Sequence, residues 1–332
     1  MSSQHYSSID PYKFFQIVPN ADGTITRDYG NYPCTVATPY PDDHDHHTLV
    51  LSKDVPINQS NNTWVRIFLP RQVVDDSLSS STKLPLIIHF HGGGFITLSP
   101  ATSAIHEVCS HIAAEIPCII VSVEYRLAPE HRLPAAYDDA MEVLQWIKST
   151  GQEEEEWLGK YADFSCCYLM GDSAGGNIAY HSGLRAATQN DNLLPLKIRG
   201  LILNQPFFGG VERTESELRS LDDPFLPLCV NDMMWELSLP VGADRDHEYC
   251  NPMVGNGGPK ITAMGWRVLV NGGKKDTLID RQIEVVKMME VKGVTVVSRF
   301  GEGGHNPAEN PSEYNAFIAA IKAFVLSESE LG

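Results

Sequence analysis

Seven short apolar runs, most of them rich in β-branched residues, recur along the 332-residue chain with stretches of helical spacing between them. They are Trp64–Leu69, Leu84–Phe90, Cys118–Tyr125, Cys166–Met170, Ile198–Leu203, Arg267–Val270 and Thr295–Phe300. Several are almost wholly apolar, as strands covered on both faces must be. After Pro134, the residues Tyr137, Ala140, Leu144 and Ile147 fall on one helical face, and Ile279, Ile283, Val286 and Met289 do so further on. A last helix opens at Asn310-Pro311 with Glu313 in its first turn, a capped start, and shows Tyr314, Phe317, Ile321 and Phe324 on one face. Strands alternating with helices predict the α/β class, with a mostly parallel sheet flanked by helices in one domain spanning residues 1–332. Two segments break the alternation, residues 1–48 and about 209–260. The second holds Pro224-Phe225-Leu226 and Met233-Met234-Trp235. An apolar insertion at the carboxyl edge of such a sheet sits where ligands bind, so both segments are expected to form a cap.

A hydrophobic share of 42% with 20% charged residues lets the chain bury a large core. Lys and Arg number 25 against 42 Asp and Glu, a net charge of −17 that repels nucleic acid and anionic membranes. The polar stretch Met1 to Ser8 leads into no apolar run, and no stretch approaches the roughly 18 apolar residues of a membrane span. Seven scattered cysteines (34, 109, 118, 166, 167, 229, 250) lack paired C-x-x-C spacing and read as buried free thiols. A cytoplasmic location is expected, and the sequons at Asn58 and Asn61 then carry no weight.

The chemistry centres on Gly171-Asp172-Ser173-Ala174-Gly175-Gly176. It follows an apolar strand and opens a small-residue helix, so Ser173 sits on a sharp strand-to-helix turn with its hydroxyl exposed. Glycines flank it because side chains would clash there. A serine hydroxyl needs a base to become a nucleophile, and the base needs an orienting acid. Of twelve histidines, His305 fits best, in the glycine-rich loop Gly301-Glu302-Gly303-Gly304-His305 after the final strand. Asp276 follows the strand Arg267–Val270 and is the matching acid, whereas Asp280, four residues on, is expected to face outward on a helix. The order is Ser, Asp, His, with gaps of 103 (276 minus 173) and 29 (305 minus 276) residues. His91-Gly92-Gly93-Gly94-Phe95 directly follows the strand Leu84–Phe90. Its glycines let backbone N–H groups approach a developing oxyanion, joined by the N–H after the nucleophile, Ala174.

Taken together, these motifs resemble the plant soluble carboxylesterases of the hormone-sensitive-lipase group of α/β-hydrolases. The resemblance rests on residues 91–95 and 171–177, on Tyr125-Arg126-Leu127-Ala128-Pro129-Glu130 with Pro134-Ala135-Ala136, and on Asp276-Thr277-Leu278. Asp10-Pro11-Tyr12-Lys13 and Asp22-Gly23-Thr24 extend it to the N-terminal region. It implies an eight-stranded sheet under a helical cap, a serine carboxylesterase acting on a small-molecule ester, and no metal or organic cofactor. By position, Ser173 is the nucleophile, His305 the base and Asp276 the acid. Gly93, Gly94 and Ala174 supply the oxyanion N–H groups, Gly92 is left open, and His91 organises the loop. Plant gibberellin receptors share the fold with the histidine replaced, which the intact triad disfavours, while a dehydratase on the same scaffold stays open.

Phe95, Leu98, Phe225, Met233 and Trp235 are the expected pocket residues. The run Asp42-Asp43-His44-Asp45-His46-His47 lacks ligand spacing and reads as a solvated loop, not a metal site. Asp246-His247-Glu248 reads as surface charge, Cys166 and Cys167 as buried apolar residues, and Tyr125, Arg126 and Glu130 as supports of the loop beneath the site.

Overall fold

Eight strands pair into one sheet in a computed structural model that describes residues 9–28, 30, 32–40, 48–75, 83–149, 155–255, 257–305 and 310–327. They are β1 (Val50–Asn58), β2 (Thr63–Pro70), β3 (Leu84–Phe90), β4 (Ile119–Glu124), β5 (Ala162–Asp172), β6 (Ile198–Asn204), β7 (Arg267–Gly273) and β8 (Thr295–Gly301). Their spatial order is β8-β7-β6-β5-β3-β4-β2-β1. Strand β2 runs antiparallel to β1 and β4, and every other pair is parallel. Each of the seven apolar runs forms a strand, the run Cys118–Tyr125 overshooting β4 by one residue at each end. Strand β1 had no such run: Ser52, Lys53, Asp54 and Pro56 interrupt it, which the sheet tolerates because β1 is an edge with one partner.

The main crossover helices are α1 (Ser103–Glu115), α2 (Ala135–Ser149), α3 (Ala174–Thr188), α5 (Ile279–Val291) and α6 (Pro311–Leu326), with α4 (Leu228–Ser238) in the second interrupting segment. Successive strand residues face opposite layers. Ile87, Ile120, Met170, Ile202 and Leu269 pack with Ile112 of α1 and Phe317, Ile321 and Phe324 of α6. Leu86, Ile88, Leu169, Leu201 and Val268 pack instead with Leu144 and Ile147 of α2, Ile178 of α3 and Val285 and Met289 of α5. Each such fully buried aliphatic or aromatic side chain is worth about 1.5–3 kcal/mol of transfer free energy, so the sheet is held from both faces. The helical face expected of α5 is turned slightly: Ile283 is half-buried while Gln282 and Val285 are buried. Helix α6 starts as its sequence predicts, with Pro311 in its first turn and the Asn310 side chain accepting from Glu313 N–H.

Parallel pairing aligns the carboxyl ends of the strands. Phe90 pairs with Gly171, Asp172 with Asn204, and Asn204 with Asn271. The loops after β3, β5, β7 and β8 therefore emerge along one edge of the sheet. Helix α4 lies on this edge, and the short helix Pro11–Phe14 packs against α4. The short helix Gly257–Ala263, at the far end of the interrupting segment, packs on α3 instead. Among the described residues, no helix is long and apolar enough to cross a membrane.

Candidate active site

Strand β5 ends at Asp172 and α3 begins at Ala174, so Ser173 alone makes the turn, at φ 53° and ψ −115°. A non-glycine residue in such a conformation costs on the order of 1–3 kcal/mol and needs support. It comes from both sides: Ser173 N–H donates to Asn204 O (2.9 Å), and Ser173 O accepts from Phe207 N–H (2.9 Å). The flanking glycines allow the close packing. A Cβ on Gly171 would lie 2.1 Å from the Gly175 backbone, and one on Gly175 would lie 1.9 Å from Phe90 O.

His305 reaches this turn from the loop after β8, its Nε2 3.0 Å from Ser173 Oγ. On the other side of the ring, Nδ1 is 3.0 Å from Asp276 Oδ2 and 3.1 Å from Oδ1. Asp276 is fully buried and fixed by two further donors, Leu278 N–H to Oδ1 (2.9 Å) and Gln282 Nε2 to Oδ2 (3.0 Å). A carboxylate that only accepts puts the ring proton on Nδ1 and leaves Nε2 free to accept from the serine. Burial opposes charge on this imidazole, but the Asp276 carboxylate, aided by Asp223 and Asp172, outweighs it and raises the His305 pKa above 6.5. Gln282 had no signal in the sequence; only the turned face of α5 brings it inward.

The loop after β3 turns tightly, with φ of 97° at Gly93, 61° at Gly94, 65° at Phe95 and 73° at Leu98. Ile96 N–H and Thr97 N–H both donate to Gly93 O (3.0 and 3.2 Å). Gly92 lies against the turn, where a Cβ would sit 3.2 Å from Asp172 O. Ala174 is buried at the first position of α3, where amides have no intrahelical acceptor. His91 is buried and stacked on Tyr125 at 4.3 Å, with Nδ1 2.8 Å from Gly92 O. Burial pushes its pKa down to about 3, so it stays neutral.

Of the expected pocket residues, only Leu98 and Phe225 present surface beside these groups. Phe225 is exposed, with its ring 6.0 Å from that of His305. Phe95, Met233 and Trp235 are nearly inaccessible, because α4 turns Met233 and Trp235 inward and Trp235 stacks on Phe207 at 4.4 Å and packs on Phe95 at 5.5 Å. Met234, named in the apolar segment but not among the expected pocket residues, lies where a Gly94 Cβ would be, 2.3 Å from its Sδ.

A polar ladder across the strand ends ties the serine turn to the histidine loop, and no motif announced it. Asp172 accepts from Asn204 Nδ2 (2.6 Å), Asn204 Oδ1 from Asn271 Nδ2 (2.7 Å), and Asn271 Oδ1 from Arg299 Nη1 (2.9 Å). Arg299 pairs with Glu313, whose other oxygen accepts from Glu302 N–H (3.1 Å). Gln205 Nε2 holds Gly304 O at 2.7 Å, next to His305. On the far side, Asp172 Oδ2 meets His89 Nε2 at 2.8 Å.

Asp280 does not face outward. It is half-buried and accepts from Ser216 N–H (2.7 Å), pinning the short helix Glu215–Arg219. Asp246 and Glu248 are exposed, as surface charge should be. Cys166 is half-buried rather than buried and Cys34 is exposed, while Cys109, Cys118, Cys167 and Cys250 are buried free thiols. The run 42–47 lies outside the described residues, among which no His, Cys, Asp and Glu side chains group to hold a metal ion.

Residues 87–306 match a family described as alpha/beta hydrolase fold. Carboxylesterase 20 of Arabidopsis thaliana is 50% identical over 323 residues, covering 96% of this chain and 97% of that protein. The 3-O-acetylpapaveroxine carboxylesterase CXE2 of Papaver somniferum is 45% identical, covering 95% of this chain and 99% of that one. Among solved structures, an esterase of Pyrobaculum calidifontis superposes with a TM-score of 0.68 at 22% identity, over 90% of this chain and 87% of that one.

Proposed function

The chain belongs to the alpha/beta hydrolase fold family (Abhydrolase_3), and on that premise we propose that it is a serine carboxylesterase acting on small or short-acyl esters. The observation that carries this reading is the continuous line Ser173 Oγ, His305, Asp276, with 3.0 Å at each link. The carboxylesterase names of relatives at 50% and 45% identity support the same chemistry.

In this reading His305 Nε2 takes the Ser173 proton as Oγ attacks the ester carbonyl. The N–H groups of Gly93, Gly94 and Ala174 stabilise the oxyanion as charge develops. His305 returns the proton to the leaving alcohol, giving an acyl-enzyme. Water then enters, loses a proton to His305, and releases the acid. Asp276 holds the Nδ1–H tautomer and stabilises the imidazolium without being protonated itself. Helix α4 and the short helix Pro11–Phe14 packed on it act as the cap, with Phe225 and Leu98 at the mouth.

The intact His305 distinguishes this reading from a binding-only receptor, and product analysis distinguishes it from a dehydratase. The test is hydrolysis of a chromogenic acyl-ester series by wild type and Ser173→Ala, with intact mass after an organophosphate. Turnover and one phosphoryl adduct, both lost in the variant, are expected. Neither turnover nor adduct in the wild type would overturn the esterase, and an adduct with elimination products instead of acid would point to the dehydratase.

A further inference from the structure

The oxyanion loop is held from behind by a residue far away in sequence. Arg27 lies on the short ribbon formed by Ile17–Pro19 and Ile25–Arg27, and its side chain is only 10% exposed. Each of the five N–H donors of its guanidinium has an acceptor. Nε donates to Ile96 O (2.6 Å) and Nη2 to Ala128 O (2.7 Å). Nη2 and Nη1 fork onto Glu130 at 2.6 and 3.2 Å, and Nη1 also faces Ile25 O at 3.4 Å. Glu130 in turn accepts from Ile25 N–H (2.9 Å), locking the ribbon to the segment Tyr125–Glu130. A lysine has three donors on one atom and cannot reproduce this planar arrangement.

The bonds connect to the site through peptide planes. A trans peptide is rigid, and its C=O and N–H point in opposite directions. The Ile96–Thr97 peptide is gripped by Arg27 at its oxygen and donates its N–H to Gly93 O (3.2 Å). The preceding peptide, Phe95–Ile96, is gripped at its oxygen by Ala128 N–H (2.9 Å) and donates to the same Gly93 O (3.0 Å). Gly93 O belongs to the peptide whose opposite end is Gly94 N–H. Fixing that oxygen fixes where the Gly94 N–H points. Without such support, Phe95 and Leu98 would not hold φ of 65° and 73°.

We propose that Arg27 is a positioning residue for ester hydrolysis, aiming the Gly94 N–H at the oxyanion through two peptide planes. It touches no reacting atom. Its effect is confined to the transition state, because the ester carbonyl of the ground state gains little from a donor placed for the tetrahedral oxygen. The N-terminal segment therefore does more than cover the site: it completes the loop geometry on which the chemistry depends.

This proposal rests on the serine-esterase reading, and its test separates the two. Arg27→Ala, Arg27→Lys and Glu130→Gln are compared with wild type on a chromogenic acetyl ester, with rates normalised to sites titrated by an organophosphate. Arg27→Ala should lower kcat per titrated site by about 10²-fold while KM changes less than about threefold, the cost of misaiming one oxyanion donor. The inhibition constant of a trifluoromethyl ketone, which mimics the tetrahedral oxyanion, should weaken by the same factor as kcat/KM. Added guanidinium should restore part of kcat to Arg27→Ala and none to Ser173→Ala. Should Arg27→Ala not fold, Arg27→Lys carries the test with the same kcat-specific fall, and Glu130→Gln, which keeps the carbonyl contacts, should fall less. Wild-type kcat and ketone affinity in folded Arg27→Lys, or losses seen only in the number of titratable sites, would overturn the proposal. No turnover and no adduct in the wild type would instead overturn the esterase reading beneath it.

Discussion

Three glycines surround Ser173 in one motif, yet the structure ranks them differently, and substituting each with alanine tests the packing directly. A Cβ at Gly175 would stand 1.9 Å from Phe90 O, 2.5 Å from Phe90 C and 2.6 Å from His91 O. All three atoms are backbone, so no side chain can swing away. Reaching even the 3.0 Å floor requires 1.1 Å (3.0 minus 1.9) of movement between α3 and the end of β3. Overpacking of this kind costs about 1–3 kcal/mol, and rigid neighbours put this case at the upper end. Alanine recovers at most about 1 kcal/mol through helix propensity, leaving a net loss of about 2 kcal/mol. With an unfolding entropy near 0.7 kcal/mol per kelvin for 332 residues, Tm should fall by about 3 °C. Activity should fall further, because the same ångström separates Ala174 N–H from Gly93 and Gly94 and costs about 10²-fold in kcat. Gly171→Ala, with a Cβ 2.1 Å from the Gly175 backbone, should behave alike. Gly176→Ala is the control: its Cβ meets Pro206 at 3.0 and 3.1 Å, a shortfall of tenths that helix propensity offsets. Thermal melts by circular dichroism and ester hydrolysis per titrated site read both effects. If Gly175→Ala matches Gly176→Ala in both, the packing argument is wrong.

Three further outcomes follow from the same geometry. Asp276→Asn should cut kcat by about 10⁴-fold: Leu278 N–H and Gln282 Nε2 donate to different carboxylate oxygens, so an amide accepts from only one of them, puts an NH2 in place of the other oxygen and no longer holds the Nδ1–H tautomer, which single-turnover acylation would show. His305 must be neutral to act as base and its pKa is raised, so the acid limb of kcat/KM should have its midpoint above 6.5. Asp223→Asn, which removes one of the raising charges, should move that midpoint toward acid, and an unmoved limb would contradict the assignment. Asn271→Leu leaves Asn204 Oδ1 and Arg299 Nη1 without their partner and should cost about 1–3 kcal/mol, measured as a lowered urea midpoint at unchanged slope.

The parts of the fold legible in the sequence are those where burial on both faces leaves little choice of residue. Strand β3 is apolar apart from His89, and its bounds fall where the run Leu84–Phe90 places them. Strand β1 was illegible for the converse reason: an edge strand needs one packed face, so Lys53 and Asp54 sit in it without penalty and break the pattern. Among site residues, Ser173, Asp276 and His305 stood out because their loops carry glycines that a tight turn requires. Gln282, Asn204, Asn271 and Arg299 gave no comparable signal. Each is an ordinary polar residue whose partner is distant in sequence, and only the strand register brings Asp172, Asn204 and Asn271 into line.

That register also explains why the groups can act as one unit. The serine turn, the acid loop and the histidine loop leave different strands, and backbone bonds stitch the last two together, Lys274 N–H to Gly301 O (2.8 Å) and Lys275 N–H to Gly303 O (3.0 Å). The ladder from Asp172 to Glu313 ties the serine turn to the same histidine loop. Arg27 holds the oxyanion loop from the N-terminal ribbon, the one catalytic loop that this ladder does not reach past His89. On the proposed mechanism, preorganisation is divided between two supports: the sheet aligns nucleophile with base, and the N-terminal segment aligns the oxyanion donors. Substitutions in the first should act on acylation through His305 and shift its pH profile, whereas substitutions in the second should lower kcat at every pH alike.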